Sequence, residues 1–168
     1  MPISARPTRL TMCAEGVLLC NPETDTVFLY SKNKTLSPVL HKIPLAGATD
    51  PMTYMNNCID VGNYQFTEIF TVRERNAFVT DFPVKYYMRN KKTGEVVHPR
   101  FLLPEYRGKE FFVSPSSIRD SKNGCCFELD LVELKQAFFE NRLSGKLKEL
   151  VATLKEDDNN VFMMVQFY

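Results

Sequence analysis

Short runs of β-branched, aliphatic and aromatic residues broken by turn chemistry account for most of the chain, and helical spacing appears only near its end. Gly16-Val17-Leu18-Leu19-Cys20 is an apolar run, Asn21-Pro22-Glu23-Thr24-Asp25 supplies a turn, and Thr26-Val27-Phe28-Leu29-Tyr30 resumes the strand pattern. That order predicts a hairpin. Ser31-Lys32-Asn33-Lys34 turns the chain again, and residues 36–43 read as a third strand. Pro38 has no N–H to give to a ladder, which places this strand at a sheet edge or puts the proline near its start. Between Pro44 and Gly62 the sequence mixes Pro, Gly, Asp and Asn with scattered Met and Tyr and keeps neither period. This predicts a loop with one helical turn at most, the seam between two groups of hairpins.

Residues 64–73 set Phe66, Glu68, Phe70 and Val72 against Gln65, Thr67, Ile69 and Thr71, an imperfect alternation dominated by β-formers. Strands are expected over 76–80 and 84–90, then the turn Asn90-Lys91-Lys92-Thr93-Gly94, and residues 95–98 close another hairpin. The stretch 101–108 is irregular, 109–113 extended, Ser114-Pro115-Ser116-Ser117 a break, and 124–129 a further strand. Asp130 is placed to cap a helix over 131–141, with Leu131, Leu134, Gln136, Phe138 and Phe139 on one side. Ser144-Gly145 interrupts it, and 146–155 forms a second short helix through Leu147, Leu150, Val151 and Leu154. Val161-Phe162-Met163-Met164-Val165-Gln166-Phe167-Tyr168 is a closing strand whose apolar residues on both faces imply burial between covered surfaces.

A chain of 168 residues is one ordinary domain, since about 68–70% of the unfolded surface is buried near this size. Twenty-one basic side chains against twenty acidic ones leave a net charge of +1, which provides no field to gather nucleic acid or an anionic membrane surface. No apolar run approaches the roughly 20 residues that span a bilayer, and the basic N-terminus lacks the apolar segment of an export signal. The sequence as it stands therefore implies a cytoplasmic location. Five cysteines exclude a complete intrachain disulfide set by parity. Their spacing offers no zinc pair of the CxxC kind. Cys125 and Cys126 are adjacent in a strand and point to opposite faces, so one of them is expected to be an exposed, oxidisable thiol.

The order of these features resembles the C-terminal part of a family of bacterial six-bladed β-propeller proteins, of TolB-like and NHL-like architecture. Gly16 to Phe28 resembles that family's blade hairpin, with the Asp25-Thr26 pair before its β-branched and aromatic run. Asn90-Lys91-Lys92-Thr93-Gly94-Glu95-Val96 resembles its late hairpin turn, with Asn90 where Asp is usual. Leu154-Lys155-Glu156-Asp157-Asp158-Asn159-Asn160-Val161-Phe162 resembles its terminal helix, acidic turn and last strand, with Asn160 in place of Pro. The resemblance implies a mainly β fold of antiparallel meander blades forming a partial β-propeller, with one or two short helices before the last strand. On that reading residues 1–15 are an N-terminal extension and 16–168 the partial propeller, with blade-like hairpins at 16–43 and 64–98, a strand and helical insertion at 109–156, and the closing strand at 161–168. It also implies a cell-envelope or periplasmic location if upstream blades and a signal precede the chain. An open propeller fragment leaves sheet edges and apolar faces uncovered, among them Phe66, Phe70, Tyr86 and Phe112, which predicts self-association.

Chemistry is sparse. No glycine cluster cradles phosphate, and neither a catalytic set nor a metal or cofactor site is expected. Arg100, Tyr106, Arg107 and Lys109, interleaved with Phe101, Phe111 and Phe112, form the nearest approach to a recognition surface for a protein, peptide or carbohydrate. The resulting expectation is a noncatalytic binding or interaction module. The alternative is a small cytoplasmic hydrolase or transferase using Cys58 with His98, or the carboxylates at Asp157 and Asp158.

Overall fold

The computed structural model describes residues 8–22, 24–43, 52–72, 84–114, 117–120 and 124–167. Antiparallel sheets dominate, and two helices lie between the last two strands. The one domain expected from length divides into two compact units, residues 1–99 with 120–123 and 167–168, and residues 100–119 with 124–166.

In the first unit β1 (Arg9–Met12), β2 (Gly16–Cys20), β3 (Thr26–Ser31) and β4 (Leu36–His41) form a four-stranded sheet in sequence order. A second four-stranded sheet follows the same up-and-down order through β5 (Met52–Val61), β6 (Tyr64–Val72), β7 (Val84–Asn90) and β8 (Val96–Val97). The β2–β3 hairpin pairs Cys20 with Val27 through to Gly16 with Ser31. Pro38 sits on the edge strand, and the register slips between Val27 and Phe28, so that Val39 is extra against β3. The turn after β7 is held by Asn90, whose Oδ1 accepts from the Lys92 amide at 2.9 Å and the Thr93 amide at 3.3 Å. Gly94 at φ +76° completes it.

Two expectations for this unit need correction. Residues 9–12 are not part of a loose extension but a strand paired along β2. Most of the stretch read as a loop between Pro44 and Gly62 is the longest strand, β5. Its alternation is hidden by a bulge at Asn56, where the register shifts between Met55 and Asn57. The Glu68 carboxylate accepts from the side-chain amides of both Asn56 and Asn57, so polar residues that look like turn chemistry are satisfied across the ladder. The strand expected at 76–80 lies outside the described residues.

Leu18, Cys20 and Val27 of the first sheet meet Met55 and Cys58 of the second, with Leu29, Leu40 and Ile69 packed around them. Burying each such aliphatic side chain contributes about 1.5–3 kcal/mol. The Cys20 thiol donates to the Met55 carbonyl at 3.6 Å, a weak tie between the sheets. Phe66 and Phe70 do not meet water as expected. Phe66 tilts against Phe167 at 5.5 Å between centroids, and Phe70 stacks on Tyr54 at 5.4 Å.

The second unit contains the two-stranded β9 (Phe101–Leu102) and β10 (Glu110–Phe111), and most of a three-stranded sheet of β11 (Ile118–Asp120), β12 (Gly124–Leu129) and β13 (Val161–Gln166). Between β12 and β13 lie α1 (Leu131–Phe139) and α2 (Gly145–Thr153). Asp130 caps α1 as the sequence predicts, accepting from the Glu133 amide at 2.9 Å. Ser144 makes no such bond for α2. The distant Glu105 carboxylate takes that place, accepting from the Lys146 and Leu147 amides at 3.0 and 3.2 Å. Asn160 accepts from the Leu131 amide at 2.9 Å and donates to Glu128 at 2.6 Å, tying the entry of α1 to the strand before it.

Three details of this unit differ from expectation. The buried stripe of α1 is Leu131, Leu134 and Ala137, while Phe139 is exposed. Cys125 and Cys126 do face opposite sides, yet both are buried. β12 is the central strand; Phe111 packs on Phe127 at 5.4 Å along one face, and Phe112, Ser117 and Phe162 surround Cys126 on the other. The closing strand pairs along the whole of β12, but as a sheet edge it is not covered on both faces. Phe162 and Met164 remain 53% and 65% exposed.

A Cβ at Gly16 would lie 2.1 Å from the Tyr30 carbonyl oxygen, inside the β2–β3 ladder. Gly16→Ala is expected to lower unfolding stability by about 1–3 kcal/mol, whereas Gly94→Ala, with open space at its Cβ, pays only backbone strain of about 1 kcal/mol. Urea unfolding of the two variants checks the order.

Candidate functional site

Period-two alternation on β6 sends Gln65, Thr67 and Ile69 to the face that meets the first sheet. The ladder sets Tyr87 opposite Thr67, Arg89 opposite Gln65, Val96 opposite Arg89 and Met55 opposite Ile69. Leu40, His41 and Lys42, at the end of the edge strand β4, close the other side. Together these residues line a cleft of about 300 Å³ within the first unit. β5 lies against β1 and β2, and the cleft is lined by residues of β4, β5, β6, β7 and β8.

The polar groups of the cleft differ in what they already hold. Lys42 Nζ pairs with Asp25 at 2.7 Å and donates to Thr53 Oγ1 at 3.1 Å. His41 Nδ1 is 2.8 Å from Thr26 Oγ1. Gln65 is 3% exposed, and its Nε2 donates to Asp60 Oδ1 at 3.2 Å. Its Oε1 is buried and has no hydrogen-bond partner. Leaving such an acceptor dry costs about 1–3 kcal/mol, so it is the conspicuous polar defect of the unit. On its register partner, the half-buried Arg89, the guanidinium makes no hydrogen bond or ion pair among the described residues. Among the described residues no carboxylate lines the cleft.

The chain matches no protein-family profile, no curated protein and no solved structure. The assignment of a site therefore rests on the geometry above.

The four residues singled out in the sequence fall in the second unit. Arg100 pairs with Glu110, and Lys109 pairs with Glu133, so both charges are occupied. Tyr106 is buried, with the Arg142 guanidinium 5.7 Å from its ring centroid. Arg107 is exposed and shares with Tyr106 an open groove of about 370 Å³ that Arg142 and Leu143 also line. Arg142 is itself held by Glu140 at 2.6 Å, and hydrogen bonds from Gln136 first and Arg142 second push the Glu140 carboxyl below its usual range. Gln65 and Arg89 escaped sequence reading because they are 24 residues apart by number and adjacent only through the β6–β7 register. The one local signal was a polar Gln65 and Thr67 on the face opposite Phe66 and Phe70 of a strand rich in apolar residues.

The alternative nucleophile fares poorly on its own chemistry. Cys58 is 1% exposed, and burial together with the Asp60 charge pushes its thiol far up, away from thiolate. His98 Nδ1 is 2.9 Å from the Tyr86 carbonyl oxygen and its ring lies 4.2 Å from that of Tyr87. At the acidic turn Asp158 accepts from the Lys155 amide at 2.6 Å, a local closure of the chain after α2. Cys13, Glu15 and Asp60 bring three ligand atoms within 4.8 Å of one another. Asp60 is already neutralised there by Lys91 at 3.1 Å, and burial pushes the Cys13 thiol up, so the group fits a closed ion pair better than a metal.

Burial raises the thiols of Cys20 and Cys125 from the ordinary 9.0 to about 11. The folded chain therefore keeps protons that the unfolded chain loses, and stability is full below about pH 9 and falls as pH rises toward about 11. Comparing urea midpoints at about pH 8 and about pH 10.5, the drop is expected to be smaller in a Cys20→Ala/Cys125→Ala double variant than in the parent.

Proposed function

We propose that this chain is a β-built binding module that seats a small anionic ligand in the cleft between the two sheets of its first unit and performs no chemistry on it. One observation carries the reading, a concave, largely apolar cleft lined by Gln65, with its dry acceptor Oε1, and by its register partner Arg89, whose guanidinium is unengaged among the described residues. Buried groups of this kind are tolerated where a ligand completes them. A cleft with cations and no carboxylate favours an acid. The buried thiols support binding over catalysis, because their shifts oppose a thiolate at neutral pH. The four-stranded meander is also the unit from which propeller blades are made, and that order supports reading the first unit as two blades of a divergent six-bladed type.

A thermal-shift screen of small acids, amines and neutral compounds tests the binding reading. Acids are expected to dominate the stabilising compounds, and Arg89→Gln is expected to erase their effect. Stabilisation spread evenly over the three classes, or unchanged in Arg89→Gln, would refute it.

A second reading concerns a second copy of the chain as partner. The edge strand β13 is uncharged, lacks proline and exposes Phe162 and Met164, so it carries none of the usual devices that blunt a sheet edge. β1 exposes Leu10 and Met12 in the same way. Concentration-dependent self-association is expected by light scattering and is expected to weaken in Met164→Lys; a parent chain that stays monomeric at millimolar concentration sinks this second reading. Among the described residues no helix is long and apolar enough to cross a membrane.

A further inference from the structure

Resting on the proposed acid-binding cleft, we infer that its ligand is an apolar monocarboxylic acid of about ten to twelve non-hydrogen atoms, an aryl or branched alkyl carboxylate, and not a phosphate or a dicarboxylate. The charge it must carry is set by the cations still open. Among the described residues His41, Lys42 and Arg89 are the basic side chains that line the cleft. An ammonium has three protons to donate, and Lys42 Nζ meets three acceptors, Asp25 Oδ1 at 2.7 Å, Thr53 Oγ1 at 3.1 Å and the Thr53 carbonyl oxygen. Its charge is matched and no N–H is left over. His41 engages Thr26 Oγ1 through Nδ1. Of the three, Arg89 alone has no hydrogen bond or ion pair among the described residues. One unmet positive charge suits one negative charge. A phosphate monoester carries about 1.5–2 charges at neutral pH, and its surplus would sit uncompensated against an apolar wall.

A carboxylate fills the planar fork of a guanidinium with two parallel hydrogen bonds. Tyr87, two residues before Arg89 on β7, projects to the same face and also lines the cleft. Its hydroxyl makes no hydrogen bond among the described residues, so β7 offers a neutral donor besides the cation. Leu40, Met55, Ile69 and Val96 give the body of the ligand an apolar wall. A dry cavity of about 150 Å³ holds one benzene, and the cleft offers about 300 Å³. That is room for an aromatic ring or a branched chain with its carboxylate, and too little for a long acyl chain.

Titration calorimetry on the full chain at about pH 8, where a phosphate monoester is a dianion, tests the inference with 3-phenylpropanoate, acetate, phenyl phosphate and dodecanoate. The first is expected to bind tightest. Acetate, which lacks the apolar body, and phenyl phosphate, of the same size but doubly charged, are each expected to bind at least about tenfold weaker, and dodecanoate likewise. Arg89→Gln is expected to weaken 3-phenylpropanoate by about 10–100-fold. Val96 is 55% exposed and stands opposite Arg89 in the β7–β8 register, so Val96→Asp sets a carboxylate across the ladder from the guanidinium without touching the core. It is expected to weaken 3-phenylpropanoate by about tenfold or more, with the neutral Val96→Asn closer to the parent. The comparison of probes on the parent chain stands even if a variant fails to fold. Acetate or phenyl phosphate binding as tightly as 3-phenylpropanoate, or dodecanoate binding more tightly, overturns the ligand class and leaves the acid-binding reading intact. Binding of none of the four acids, or affinity for 3-phenylpropanoate unchanged in both Arg89→Gln and Val96→Asp, overturns both.

Discussion

The first unit depends on one buried contact, the face of β2 and β3 pressed against β5 and β6. Leu18, Cys20 and Val27 on one side and Met55 and Cys58 on the other exclude water from both sheets at once. A lone four-stranded meander has an apolar face with nowhere to go; two of them solve each other's problem. The contact also sets the position of everything else in the unit, because which residues of β6 and β7 remain beside the edge of β4 is decided by where β5 settles under β1 and β2.

The cleft follows from the ends of that contact. Sheet faces that match strand for strand would leave no gap, but β4 is bulged at Val39 and marked by Pro38, and its last residues line the cleft with residues of β6, β7 and β8. The uncovered face there is not simply apolar. On two residues that are partners in the β6–β7 register it holds, among the described residues, an amide oxygen without a donor and a cation without an anion. Folding alone gains nothing from either, which is the physical reason to look for a ligand at this place; in the groove of the second unit Arg142 already pairs with Glu140 and Arg107 is exposed.

Long-range polar contacts do the same kind of work elsewhere for stability alone. Glu105 supplies the N-terminal cap that Ser144 does not, and Lys135 donates to the Val151 carbonyl at 3.1 Å near the other end of α2. Glu68 accepts from two asparagines and so allows a bulged strand where the sequence resembles a loop. In each case a charged side chain satisfies backbone or amide groups that its own segment leaves open, and the partner comes from a different element.

Wherever a signal is carried by neighbours in the chain, the sequence determined the outcome. The β2–β3 hairpin, the turn at Asn90 to Gly94, the strands 84–90 and 124–129 and the Asp130 cap were all legible, because turn propensity, strand period and capping act over a few residues. β5 was not, because its Asn56-Asn57 pair breaks the period and is rescued only by Glu68 across the ladder. Nor was the exposure of β13, since apolar residues on both faces of a strand say nothing about whether a neighbour will cover the second one. The candidate site was the least legible of all: basic and aromatic residues clustered at 100–109 drew the eye by proximity, while Gln65 and Arg89 became a pair only when hydrogen bonding between two strands set their register. Local free energies choose the elements, but only the packing of one sheet on another decides which polar groups are left without partners.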